Sequence, residues 1–239
     1  MEYILNSEID GIDFDRYSAY VESIRSRLQP HIYAFASNPS YFDLHSHSSL
    51  HDAWLEKLTV RETSMGERNQ LRQLEIHLCL LGPYHDRWIH LNYVGVAQYS
   101  IVTPPKYAEP RYRHTAHGDL LTHEIRLGQN GLLLHELLFE RGSTLLIECA
   151  DITHSEETKF RVGDKVKVVG MPSTTFAPGV KDELGTFKLF KGMVGRVYTV
   201  RGFDEIGNVE LKPKRRDVVW IEPEFLRLRA RKAKKSKPK

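Results

Sequence analysis

Near the amino end of the chain, hydrophobic residues recur at the spacing of a helix. Between Phe14 and Leu28 the apolar side chains stand three or four positions apart, which places them on one helical face. Asp13 precedes this run as a suitable N-cap, and Pro30 follows it as a residue expected to end a helix. The pattern therefore predicts one amphipathic helix that packs on a sheet.

Further along the chain the hydrophobic period changes to two. Apolar and polar residues alternate over 74–80, a turn is expected at 82–86, and a second strand is expected at 88–96. A further meander is predicted from strands at 121–127, 132–140 and 144–149, joined by turns that contain glycine. Short strands in this arrangement predict an antiparallel sheet covered by one helix, which is the α+β class.

The segment 160–228 has a different character. It contains five short strand-like runs, at 160–169, 193–200, 209–211, 218–221 and 224–226, with a long loop at 170–191. Such a series is typical of a small, strongly bent barrel. The segment resembles the SH3-like modules found beside bacterial enzymes and in ribosome-associated and transcription proteins. This resemblance implies a C-terminal SH3-like β-barrel and leaves its ligand open, because such modules bind different partners.

Charge divides the chain at the same place. Residues 1–158 contain 22 acidic and 13 Lys or Arg residues, whereas residues 159–239 contain 9 acidic and 21 Lys or Arg residues. All 12 histidines precede residue 158. The shift predicts an acidic, His-rich domain at 1–156, an SH3-like barrel at 159–228, and a basic tail at 229–239 whose composition predicts disorder.

Composition also indicates a compartment. The chain has no apolar run near the roughly 20 residues that span a bilayer, and its first residues lack the basic and apolar regions of a signal peptide. Cys79 and Cys149 are too few for a disulfide scaffold, and both stand in apolar, strand-like runs. These features favour a cytoplasmic protein without a membrane segment.

The richest candidate for chemistry is the string DLHSHS at 43–48, followed by His51. On an extended strand, the spacing of His45 and His47 would place both imidazoles on one side, as in many zinc and di-metal sites. The string resembles the opening motif of the PHP-type metal-dependent phosphoesterases. That family requires further ligands on a longer β/α barrel, and the antiparallel pattern of this chain does not supply such a barrel.

A second histidine group could complete the metal shell. His114 and His117 stand on a predicted loop, and together with His45, His47 and His51 they form the predicted set of zinc or other divalent-metal ligands. The alternative interpretation is that strand histidines lie on the water-facing side of a sheet, as predicted for His77, His90, His123 and His135. The same orientation is predicted for the strand carboxylates Glu75, Glu124, Glu136 and Glu148.

Two further resemblances concern the segments at 49–56 and 81–87. Both resemble segments of a loose group of uncharacterised bacterial proteins, and the string LHDAWL resembles the opening of small immunity-type proteins of toxin systems. In this interpretation His51 and Asp52 form a turn into the first strand, and residues 84–87 form a hairpin turn held by an Asp–Arg contact. Nucleophile elbows, phosphate loops and dinucleotide fingerprints are absent from the sequence.

The leading hypothesis is a non-enzymatic binding or adaptor protein without a cofactor. Its barrel and tail would dock nucleic acid or an acidic protein partner, and its acidic half would offer a second face, to a basic protein. The predicted contact residues are Lys212, Lys214, Arg215, Arg216, Arg229, Arg231, Lys232, Lys234 and Lys235. The alternatives are a metal-dependent hydrolase built on the His45, His47 and His51 cluster, and a toxin-neutralising protein of the immunity type.

Overall fold

A computed structural model describes residues 1–7, 11–103, 117–128, 130–171, 186–214 and 217–229. Contacts divide the chain into two compact units. The first unit comprises Met1–Pro83 and Trp88–Glu157, and the second comprises Tyr84–Arg87 and Thr158–Lys239. Each unit has a hydrophobic core of its own. No helix in the described ranges is long and apolar enough to cross a bilayer.

The first unit begins with a hairpin and two helices. The elements are β1 (Leu5–Ser7), β2 (Gly11–Asp13), α1 (Asp15–Ser23), a 3-10 turn (Arg25–Arg27), α2 (Pro30–Ala36) and a second 3-10 turn (Pro39–Tyr41). The prediction of one helix ending at Pro30 was therefore wrong. Gln29 is extended, as a residue before proline prefers, and Pro30 opens α2 because a first-turn position needs no N–H donor.

Eight strands complete the first unit. They are β3 (Trp54–Met65), β4 (Leu71–Leu81), β5 (Arg87–Val94), β6 (Gln98–Val102), β7 (Leu120–Leu127), β8 (Leu133–Phe139), β9 (Thr144–Cys149) and β10 (Asp151–Thr158). They form two four-stranded sheets in the orders β10-β5-β4-β3 and β6-β9-β8-β7. The antiparallel pairing confirms the predicted class of sheet.

The helices lie against the edge strand β7. Tyr17 on α1 is buried, and its hydroxyl oxygen accepts the backbone N–H of Ile125 at 2.9 Å. Tyr20 accepts the N–H of Leu127 at the same distance. An edge strand presents unpaired backbone donors, and these two phenols supply acceptors for them. One core therefore combines α1 and α2 with the inner faces of the sheets.

A buried carboxylate joins the first residues of the chain to β7. The side chain of Glu124 is fully buried and accepts backbone N–H groups of Glu2, Tyr3 and Ile4 at 2.6, 3.0 and 3.1 Å. The guanidinium of Arg126 lies 2.5 Å from the same carboxylate. The prediction that Glu124 faces water was wrong, because these donors replace the water that a buried carboxylate would lose.

The second unit consists of short strands and one helix. These are β11 (Lys165–Val168), α3 (Thr186–Met193), β12 (Val197–Thr199), β13 (Gly202–Phe203), β14 (Val209–Leu211), β15 (Val219–Ile221), a 3-10 turn (Pro223–Phe225) and β16 (Leu226–Leu228). The strands form antiparallel sheets in the orders β12-β11-β16 and β13-β14-β15, and the described residues contain no closed barrel. Helix α3 replaces the end of the predicted loop.

The predicted turns at His51-Asp52 and at Tyr84–Arg87 are confirmed. Asp52 has φ 62°, and its backbone N–H donates to the carbonyl of Leu120 at 2.8 Å. His85 has φ 54°, and Arg87 Nη2 lies 3.1 Å from Asp86 Oδ2. Both turns thus use a non-glycine residue in the left-handed region, which Asp and His tolerate better than most residues.

Replacing the buried carboxylate provides a test of the Glu124 contacts. We expect Glu124→Gln to lower the free energy of unfolding by about 2 kcal/mol, because the amide keeps the shape but loses the charge that the three N–H groups and Arg126 face. Denaturant unfolding followed by tryptophan fluorescence measures the change. Glu62→Gln, which removes an exposed pair with Arg72, is the matched control and should cost less than about 1 kcal/mol. Equal losses would contradict this assignment.

Candidate functional site

A chain of hydrogen bonds crosses the core of the first unit. The hydroxyl of Tyr93 on β5 lies 2.8 Å from Nδ1 of His135 on β8, and Nε2 of His135 lies 3.1 Å from Nδ1 of His123 on β7. Each of these three residues is at most 1% exposed to solvent. The chain therefore connects one sheet to the other through polar groups that have no access to water.

Aromatic rings enclose the outer end of this chain. His123 stacks on Phe42 with ring centroids 4.7 Å apart and an angle of 6°. Phe35 on α2 lies between His123 and His154, at 5.6 and 5.0 Å from their ring centroids. Tyr41 places its hydroxyl 3.2 Å from Nδ1 of His154 on β10. We call His123, His135, Tyr93 and His154 the buried imidazole cluster.

Burial keeps these imidazoles neutral. Desolvation lowers the pKa of His123 to about 3, with a smaller contribution from the neighbouring His154. The same cause holds the pKa of His135 well below its ordinary value and lowers the pKa of His154. Desolvation also raises the pKa of Tyr93 well above its ordinary value. The buried imidazole cluster therefore stays neutral near pH 7. We interpret it as part of the packed core and not as a site of acid–base chemistry.

The prediction that His123 and His135 lie on the water-facing side of a sheet was wrong. Residues 122–125 of β7 are all buried, because helices cover the face that alternation would expose. His77 and His90 are half-buried on the neighbouring sheet. The alternation of apolar and polar residues describes a strand with one wet face, and β7 has none over this stretch.

The segment that carries His45, His47 and His51 forms turns and not the extended strand that the metal interpretation assumed. The N–H of His45 donates to Oδ1 of Asp43 at 2.9 Å, which is the bond of an Asx turn. Nδ1 of His51 lies 2.9 Å from Oδ1 of Asp52. Within the described parts of the chain, no three His, Cys, Asp or Glu side chains form a group suited to a metal ion.

Of the two remaining predicted ligands, the structure describes His117. His117 is half-buried beside Phe139, with ring centroids 5.6 Å apart, and burial lowers the pKa of its imidazole. His114 lies outside the described residues. A metal shell that includes His114 therefore stays a prediction.

The second unit carries a basic groove. It is lined by Lys188 on α3, Arg196, Lys214 and Tyr198, with Leu189 and Met193 at its base, and encloses about 320 Å³. Its described lining includes no acidic residue. Asp217 lies just outside this lining, 3.7 Å from the ammonium of Lys214. We call Lys188, Arg196, Tyr198 and Lys214 the basic groove.

Of the nine basic contact residues predicted from the sequence, three lie in the described part of the chain. Lys212 and Lys214 are exposed, as is Arg229, whose N–H donates to the carbonyl of Lys165 at 2.8 Å. The other predicted contacts lie outside the described residues, namely Arg215, Arg216, Arg231, Lys232, Lys234 and Lys235. Lys188 and Arg196 were not among the predicted residues. Lys188 and Lys191 stand three positions apart among apolar residues, and this helical spacing is the signal that could have identified α3.

Three aromatic residues of the second unit are partly exposed. Phe187, Phe203 and Trp220 are each 39–40% exposed. Phe160 is buried in the hydrophobic core of this unit, and Phe190, Tyr198 and Phe225 pack against it. Exposed rings beside lysine and arginine are a typical feature of surfaces that contact bases.

Comparison of the sequence with protein-family models found no match, and comparison with curated proteins found none either.

The buried imidazole cluster makes stability depend on pH. Because the unfolded chain binds protons near pH 6.5 and the folded chain does so only near pH 3 for His123, stability is lost as the pH falls through this window. Between pH 7 and pH 5 we expect roughly 2 kcal/mol of loss for each of His123 and His135. Trp220→Phe removes the tryptophan of the second unit, so that the fluorescence of Trp54 and Trp88 follows denaturant unfolding of the first unit.

His123→Leu should roughly halve the loss between pH 7 and pH 5 in that background. His45→Gln removes an imidazole from an exposed turn and is the matched control, so it should keep the original slope. A slope that is the same in all three proteins would show that the buried imidazoles do not gain a proton on unfolding.

Proposed function

We propose that the protein is a non-enzymatic binding protein whose second unit and basic tail dock nucleic acid. The observation that carries this proposal is the basic groove, where two lysines, one arginine and one tyrosine line the same cavity. Lysine and arginine neutralise phosphates and release condensed counterions, and an aromatic ring offers a surface on which a base stacks. The groove combines both chemistries in one place.

The charge of the surrounding chain supports the same proposal. Residues 159–239 carry 21 Lys or Arg residues against 9 acidic residues, and eight of these bases fall in 227–239. A concentration of positive charge raises the encounter rate with a polyanion. An acidic protein surface would be attracted as well, but a nucleic acid would in addition offer bases to stack on the ring of Tyr198. We therefore favour nucleic acid.

We also propose that the two units are domains with boundaries near 156 and 159, and that the second is an SH3-like module. Two short antiparallel sheets around the core of Phe160, Val166 and Leu226 support this proposal. The two cysteines are free and buried, which supports a reducing compartment such as the cytoplasm.

Neutralising the groove tests the proposal. The variant Lys188→Gln, Arg196→Gln and Lys214→Gln should bind a mixed-sequence single-stranded oligonucleotide at least about tenfold more weakly, and its salt slope should become shallower by about 2, because each lost phosphate contact removes about 0.7 from the slope. Fluorescence anisotropy over a series of salt concentrations measures both quantities.

The matched control removes the same charge from exposed positions of the same unit that lie outside the groove lining, through Arg161→Gln, Lys167→Gln and Arg201→Gln. Its affinity should fall less than that of the groove variant. Equal losses would show that total charge and not the groove determines binding. If the unaltered protein binds polyglutamate but not the oligonucleotide, the partner is an acidic protein and the nucleic-acid proposal is wrong.

A further inference from the structure

A second concave surface lies in the first unit, on the outer face of the sheet β10-β5-β4-β3. The register aligns Thr59, His77 and Asn92 as direct neighbours on three adjacent strands. Directly opposed residues in a sheet project from the same face, so these three side chains form one row. They line a cavity of about 330 Å³ together with Lys57 and Arg61.

The charges in this cavity are unequal. Glu75 is the one acidic residue in the described lining, and it accepts Nε and Nη2 of Arg61 at 3.0 and 2.7 Å and the hydroxyl of Thr63 at 3.0 Å. Its charge is thereby matched by Arg61. Lys57 is exposed and, among the residues that the structure describes, lies in no ion pair. Within the described cavity lining, its ammonium is therefore the positive charge that no carboxylate contacts.

Each neutral polar group of the cavity can donate a hydrogen bond as well as accept one. Nε2 of His77 lies 3.0 Å from Nδ1 of His90, so the two imidazoles form a connected pair. Thr59 and Asn92 add a hydroxyl and an amide, and Val94 lines the apolar side. Ammonium, imidazole, hydroxyl and amide groups together suit an oxyanion with several acceptors.

We infer that this concave face of the first unit binds a small molecule through a phosphate group, with Lys57, Thr59, His77 and Asn92 as its contacts. The surrounding domain is acidic overall, with 22 acidic residues against 13 Lys or Arg in 1–158. A positive site within such a domain is a local feature, which distinguishes it from a general attraction to polyanions. A volume of this size holds a phosphate and a short organic group, at the lower end of ligand cavities.

The titration of His77 is consistent with this site. Burial lowers the pKa of His77, and the positive charges of His90, Lys57 and Arg61 add to the effect. A bound phosphate dianion would oppose these charges and raise the pKa of His77 again. Glu75 on β4 is paired with Arg61, and Cys79 on the same strand has its pKa raised by burial, with Glu56 and Glu157 adding to that effect and Lys57 opposing it.

The test uses the full chain and the imidazole signals in NMR spectra. Inorganic phosphate and glycerol phosphate are titrated at pH 7 with ionic strength held constant by sodium chloride. We expect saturable shifts of His77 and His90 at millimolar concentration, with no saturable shift of His31 or His45, and an increase in the pKa of His77. Tighter binding of glycerol phosphate would identify an organic phosphate as the source, and equal binding would identify free phosphate; either supports the site.

Variants separate this site from adventitious binding. Lys57→Gln should weaken phosphate binding at least about tenfold, and Asn92→Asp should abolish it by placing a negative charge in the contact row. Arg72→Gln removes an exposed cation that pairs with Glu62 on the same hairpin, and it should leave binding unchanged. Shifts without saturation, or equal effects of Lys57→Gln and Arg72→Gln, would overturn the inference.

Discussion

The core of the first unit contains a network of buried polar groups that are hydrogen-bonded to one another and to the backbone. Tyr93, His135 and His123 form one hydrogen-bonded chain through the core, and Glu124 collects three backbone N–H groups and one guanidinium. An unpaired polar group in the same position would cost roughly 1–3 kcal/mol, and an unpaired charge would cost more. The paths of α1, α2 and the first residues of the chain follow from this requirement, because they supply the rings and donors that β7 needs.

The same residue type therefore has two roles in one unit. His123 is enclosed by Phe35 and Phe42 and cannot gain a proton near neutrality. His77 lies half-buried on the outer face of a sheet, where burial lowers its pKa and the neighbouring His90, Lys57 and Arg61 add to the effect. Charge near His77 changes its protonation, whereas only opening of the core changes that of His123. A count of 12 histidines contains no information about this difference.

Much of the sheet could be predicted from the sequence, and the reasons are local. The strand Thr144–Cys149 and the strand Val209–Leu211 have the predicted bounds, because alternation and neighbouring glycines depend on adjacent residues alone. The second helix, Pro30–Ala36, was missed, since proline suits the start of a helix as well as its end. The burial of Glu124 was missed because its donors stand about 120 positions earlier in the chain. The candidate groove was found only through Lys214, since α3 was assigned to a loop.

Electrostatic screening makes each of the two candidate sites depend on the charges in its immediate surroundings. At physiological ionic strength, exposed charges are screened over about 8 Å, so the net charge of a unit says little about a cavity within it. The acidic first unit still presents Lys57 to a concave face whose single described carboxylate is paired with Arg61. The basic second unit still places Asp217 beside Lys214. Which chemical group each surface selects depends on the few groups within hydrogen-bonding reach, whereas total charge adds a salt-dependent attraction that is not selective.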